Sequence, residues 1–196
     1  MDVPHSDAKR DAGGKSVNIT TLVGNAYIGD SPEYKVGSAI NELLINLAKR
    51  GRQFDRKKRR PSSETVRKIQ HNDIKSNIHV IGQYADYSAK IEEAYIEIDS
   101  MIVSGKDVIL GNLNDLYYAA LDALNIDYIL SDEIDMDAVR AGSDYIIDYV
   151  STKLKNMVYE TSNVPGFREQ IEHGVNVVIA HAFIECVVLE NPADDT

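Results

Sequence analysis

His181 and Glu185 stand four residues apart in the last apolar run of the chain, a spacing that places both on one face of a helix. An imidazole and a carboxylate so placed begin a metal site, which needs a third and a fourth ligand; His173, two turns upstream, can approach the same side. The same pair equally makes a buried His–Glu hydrogen bond that fixes packing or registers two chains. Other groupings fall short of the chemistry they suggest. Gly13-Gly14-Lys15-Ser16 lacks the glycine that a phosphate loop needs five residues before Gly14, where Lys9 stands, and no strand precedes it. Asp132-Glu133-Ile134-Asp135-Met136-Asp137 offers carboxylates to a cation. Counted from Asp135, however, Arg140 fills the place where a calcium loop requires glycine, so helix capping is the expected role. His71-Asn72 reads as a turn or cap device. No cofactor or metal site is expected, and the single cysteine, Cys186, excludes an intrachain disulfide and a cysteine-based zinc site.

Charge is partitioned along the 196 residues. Residues 1–62 carry 12 Lys/Arg against 7 Asp/Glu, a balance of +5, whereas residues 63–196 carry 9 against 24, a balance of -15. The basic excess lies between Lys49 and Arg60, chiefly Arg52, Arg56, Lys57, Lys58, Arg59 and Arg60. Such a strip can contact phosphates, dock on an acidic protein face, or act as a self-repelling tether. The acidic remainder confines any nucleic-acid contact to this strip. The first residues form no secretory signal, so a reduced, cytoplasmic setting is expected.

The elements that must position these residues are mainly helical. Residues 1–15 are polar and aperiodic and read as a disordered tail. Residues 16–60 read as a small N-terminal segment. It opens with a β-hairpin or single extended piece over Ser16–Asp30, continues as a helix begun at Ser31-Pro32 and stopped at Gly51, and ends in the basic linker. Residues 61–192 read as the helical domain. Pro61-Ser62-Ser63-Glu64 is a capping signal, and Ile74, Ile78, Ile81, Ala85, Ser88, Ile91, Tyr95, Ile98 and Ile102 follow in three- and four-residue steps. They predict one long amphipathic helix broken at Ser104-Gly105. A third helix spans 106–124 and a fourth starts after Ser131-Asp132-Glu133, with Val139, Ile146, Val150, Leu154 and Met157 inward. The last helix, 171–189, is apolar on all sides and must be wrapped, yet Asn176, His181 and Glu185 interrupt it too often for a membrane span. The fold predicted is all-α: an antiparallel bundle of about four long helices, with one additional helix and the N-terminal hairpin. His181, Phe183, Ile184, Glu185 and Val188 are the expected partner interface, and a homo-oligomer is the expected state.

Two resemblances bear on function. Arg168-Glu169-Gln170-Ile171-Glu172-His173 on a helical scaffold resembles the HEPN ribonuclease arrangement. That implies acid–base work for His173 and phosphate stabilisation for Arg168, although Glu169 and Glu172 would repel RNA. Residues 61–192 resemble the C-terminal helical module of ABC-three-component defence systems, the group that includes Lamassu. The resemblance is carried by Ile69-Gln70-His71-Asn72 ahead of a long helix, by Ile81 and Tyr84, and by the ending from Val178 to Cys186 followed by Glu190-Asn191-Pro192. It implies a non-enzymatic role in bacterial conflict with phage or plasmids, alongside an SMC-like ABC ATPase and a companion subunit. Members usually carry an effector domain upstream, and residues 1–60 are too few for one.

Overall fold

The computed structural model describes residues 37–50, 60–130, 134–161, 163, 166–185 and 187–192. The described part is all helical, with no strand. Its elements are α1 (Ala39–Lys49), α2 (Ser63–His71), α3 (Ile78–Gly82), α4 (Tyr84–Met101), α5 (Gly105–Ala123), α6 (Met136–Glu160) and α7 (Arg168–Ile184). The hairpin expected over 16–30, the Ser31 cap, the Gly13–Ser16 motif and most of the basic strip lie outside the described residues.

Local chemistry sets several boundaries where the sequence placed them. The Ser62 hydroxyl accepts the Thr65 N–H at 3.1 Å and so starts α2. Asp135 accepts from the amides of Asp137 and Ala138 and starts α6, the capping role expected of this acidic run. Between α4 and α5 the chain reverses through Ser104, whose φ is 53°, and Gly105. A Cβ on Gly105 would lie 2.5 Å from the Ile98 side chain and 3.3 Å from its carbonyl, so glycine permits the close approach that joins α4 to α5.

Two boundaries differ from expectation. The run from Ile74 to Ile102 is not one helix. The chain turns after Asn72 through Asp73 (φ 51°), and Asp144 of α6 accepts the amides of Lys75, Ser76 and Asn77. A carboxylate satisfying those amides replaces the carbonyls of a continuing helix, so α3 starts afresh and Ile78 stays exposed. The last helix also stops early, at Ile184 rather than Leu189. The amides of Val187 and Val188 turn back to the Ala182 carbonyl, and Leu189 takes a φ of 67°. Val188 and Leu189 are buried all the same, as a tail folded against the bundle.

α7 is the central element. It packs against α1, α3, α4 and α6, which explains why Val175, Val178, Ile179, Ala182 and Phe183 all lie without exposed surface. The long pairs α4–α5, α5–α6 and α6–α7 are packed neighbours joined end to start, as in an antiparallel bundle. The inner face of α6 is Val139, Ile146, Ile147, Val150, Leu154 and Val158, with Met157 half-buried. α1 belongs to the same body. Its Asn41 donates to the Val158 carbonyl at 3.0 Å, and the Asn163 side chain pairs with both backbone groups of Ser38 at 2.9 and 3.1 Å.

Candidate functional site

Burial changes the meaning of the terminal helix. His181, Phe183 and Val188 are fully enclosed by their own chain. Three of the residues expected at a partner interface are thus covered by helices of the same chain. Only Ile184, half-buried, and Glu185, more open, retain accessible surface.

His181 is held by a residue the i,i+4 spacing did not suggest. Its Nε2 lies 2.9 Å from Glu92 Oε1 on α4. Lys106 Nζ of α5 lies 3.2 Å from the other Glu92 oxygen and 3.9 Å from Glu185 Oε2. Tyr84 and Tyr95 present ring edges to the imidazole at 5.8 and 5.0 Å between centroids. Burial pushes the His181 pKa below its ordinary value, against the upward pull of Glu92 and Glu185. In the neutral ring, Nε2 carries the proton and donates it to the carboxylate. Burial works to raise the Glu92 carboxyl, but the hydrogen bonds from His181 and Lys106 outweigh it and the net shift is downward.

Candidate ligand atoms of Glu92, His181 and Glu185 lie within 4.8 Å of one another. Lys106, however, already supplies the positive charge between the two carboxylates. His181 Nδ1 has no hydrogen-bond partner among the described residues, whereas a metal-bound histidine usually has its second nitrogen held. The cluster is a hydrogen-bonded network tying α4, α5 and α7. His173 is not part of it; its ring packs edge-on against Tyr87 at 4.6 Å.

Beside this network opens a cleft of about 710 Å³. One wall is α2 with the residues before it, the opposite wall is the α3–α4 junction, and the end is closed by Ile184, Asn191 and Pro192. Tyr84 lines the cleft and also touches His181, so the network backs directly onto it. Lys68, buried in the α2 wall, donates to the Phe183 carbonyl at the end of α7 and lies 4.7 Å over the Phe183 ring. Asn72 pins the tail: its Nδ2 donates to the Glu190 carbonyl at 2.8 Å and its Oδ1 accepts the Glu190 N–H at 3.0 Å. The Glu190 carboxylate accepts from the Tyr117 hydroxyl, and Asn114 donates to the Val187 carbonyl at 3.1 Å.

Arg168 and His173 line one shallow pocket of about 320 Å³ together with Glu169 and Glu172. Arg168 is largely exposed and lies 3.9 Å from Glu172, which Lys155 holds at 2.6 Å. Two carboxylates against one guanidinium give this pocket a balance unfavourable to a phosphodiester. Of the basic strip, Arg60 is exposed at the cleft, while Arg52, Arg56, Lys57, Lys58 and Arg59 lie outside the described residues. Just upstream, Arg50 rests on the acidic row of α4, 2.6 Å from Glu97 and 3.5 Å from Glu93.

Compared with protein-family models, curated proteins and solved structures, the chain matches none. No helix among the described residues is long and apolar enough to cross a membrane.

Proposed function

We propose that this chain is a non-enzymatic interaction component of a bacterial conflict system, working beside an SMC-like ABC ATPase and its companion subunit. The observation that carries the reading is the contact between Asn72 and Glu190. Residues 69–72 and 190–192 are two of the segments that carry the resemblance to ABC-three-component modules, and they meet through this contact, next to the cleft that Lys68, Asn191 and Pro192 line. Supporting it, the His181–Glu92–Lys106 network is engaged in packing α4, α5 and α7 together. The cleft is the concave surface that this reading offers to a partner.

The HEPN-like alternative uses Arg168 and His173. What favours it is that they share one pocket; the carboxylates of Glu169 and Glu172 in that pocket weigh against it. A nucleic-acid role for the strip from Arg52 to Arg60 has support only from its charge. The leading reading is tested by affinity purification of the tagged full chain from its native host. An SMC-like ATPase recovered in fixed stoichiometry is the expected result; recovery of the chain alone, from cells that express such an ATPase, contradicts it.

A further inference from the structure

Five arginines fall among the described residues: Arg50, Arg60, Arg67, Arg140 and Arg168. Three are paired with carboxylates of this chain, Arg50 with Glu93 and Glu97, Arg140 with Asp137, and Arg168 with Glu172. Arg60 and Arg67 are exposed and have no carboxylate partner among the described residues, and both line the cleft between α2 and the tail. Lys68 adds a third positive charge to the same wall, its position fixed by Phe183. Among the described residues, the only carboxylate of the lining is Glu64. Arg67 and Lys68 belong to the stretch 63–196, whose balance is -15, and Arg60 ends the basic strip just before it, so cationic groups from both stretches gather around one concave surface.

We propose that the cleft between α2 and the C-terminal tail binds an acidic segment of a partner protein, whose carboxylates pair with Arg60 and Arg67. This rests on the reading of the chain as an interaction module and names the chemistry of its partner. Guanidinium groups form paired, planar hydrogen bonds with carboxylates, and an arginine left without an internal partner in an acidic protein is free to do so. The remaining lining includes Ile81, Ala85, Ile184 and Pro192, which suits an apolar side chain of the segment seated between its acids. Nucleic acid fits less well. Glu64 interrupts the cationic wall, which works against a polyanion with phosphates at every step.

The test is selection from a display library of random twelve-residue peptides on the full chain. The strongest binder is then measured by fluorescence anisotropy, with a labelled single-stranded RNA in parallel. Enriched peptides are expected to carry two or more Asp/Glu beside an apolar residue. Affinity should fall at least tenfold in Arg60→Glu/Arg67→Glu and change less than twofold in Arg168→Glu, an exposed arginine elsewhere. Enrichment of neutral or basic peptides, or equal binding to Arg60→Glu/Arg67→Glu, overturns the proposal. So does binding of the RNA with no acidic peptide selected. If the ATPase still co-purifies with the Arg60→Glu/Arg67→Glu chain, the cleft assignment fails while the reading as an interaction component stands.

Discussion

Asn72 and Glu190 close a two-bond ring across 118 residues of sequence: the amide side chain of one donates to the carbonyl and accepts from the N–H of the other. Asn72 is wholly buried, and it also donates to the Lys68 carbonyl at 3.0 Å. A single side chain thus ends α2 and anchors the tail that leaves α7. Asn163 does the same for Ser38 ahead of α1. In both places a non-repetitive segment has its backbone satisfied without a sheet or helix partner.

Replacing Asn72 by alanine removes both bonds to the Glu190 backbone and one of the two to the Lys68 carbonyl, and should cost about 2–3 kcal/mol. Urea unfolding of the variant checks the magnitude. Hydrogen exchange checks the place, with the Glu190 amide expected to lose protection before the amides of α5 and α6. Tyr117→Phe removes one hydrogen bond to the Glu190 carboxylate and should cost less, about 1–2 kcal/mol. Uniform loss of protection across the bundle in Asn72→Ala would mean the tail is not a separately held unit.

Stability should depend on pH through His181. Its folded pKa lies below 6.5, so between that value and 6.5 the unfolded chain binds a proton the folded chain does not. Stability therefore rises with pH through this window, with a slope of up to about 1.4 kcal/mol per pH unit for one group. Glu92 and Asp144 have lowered folded values, so their contributions are present above the ordinary carboxyl range and vanish only as pH falls through those lower values. Urea midpoints measured from pH 5.5 to 7.5 should show the His181 slope, and His181→Gln should flatten it. An unchanged slope in that variant would place the titration elsewhere.

Two glycines of α5 predict opposite signs. Gly105→Ala drives a Cβ into Ile98, including its backbone carbonyl, and should destabilise by about 1–3 kcal/mol. Gly111 is exposed in mid-helix with nothing within 4 Å of an added Cβ, so Gly111→Ala should stabilise by about 0.5–1 kcal/mol. Thermal unfolding of the two variants side by side reads the difference directly.

What was legible in the sequence was local. Ser62, Asp135 and the Ser104-Gly105 break are signalled by residues within a turn of where they act, and the apolar girth of α7 announces burial. Which surface provides that burial is a long-range fact: the wrapping that the apolar girth calls for comes from α1, α3, α4 and α6. His181 lies four residues from Glu185 in sequence, but its hydrogen-bond partner is Glu92, 89 residues away. The periodic run from Ile74 to Ile102 carries no sign that Asp144 will cut it. The cleft, built from α2, the α3–α4 junction and the tail, has no contiguous signature: its residues come from capping, periodicity and terminal motifs far apart in sequence.

The central proposal is that the chain acts by binding a partner at the α2–tail cleft and not by chemistry at Arg168 and His173. The most direct measurement is a phage- or plasmid-challenge assay in one strain carrying the complete system. Three versions are compared: the unaltered chain, Arg60→Glu/Arg67→Glu, and Arg168→Ala/His173→Ala, all checked for equal folded abundance. Protection lost in the first variant and retained in the second is the predicted result. Protection retained in the first and abolished in the second would contradict the account.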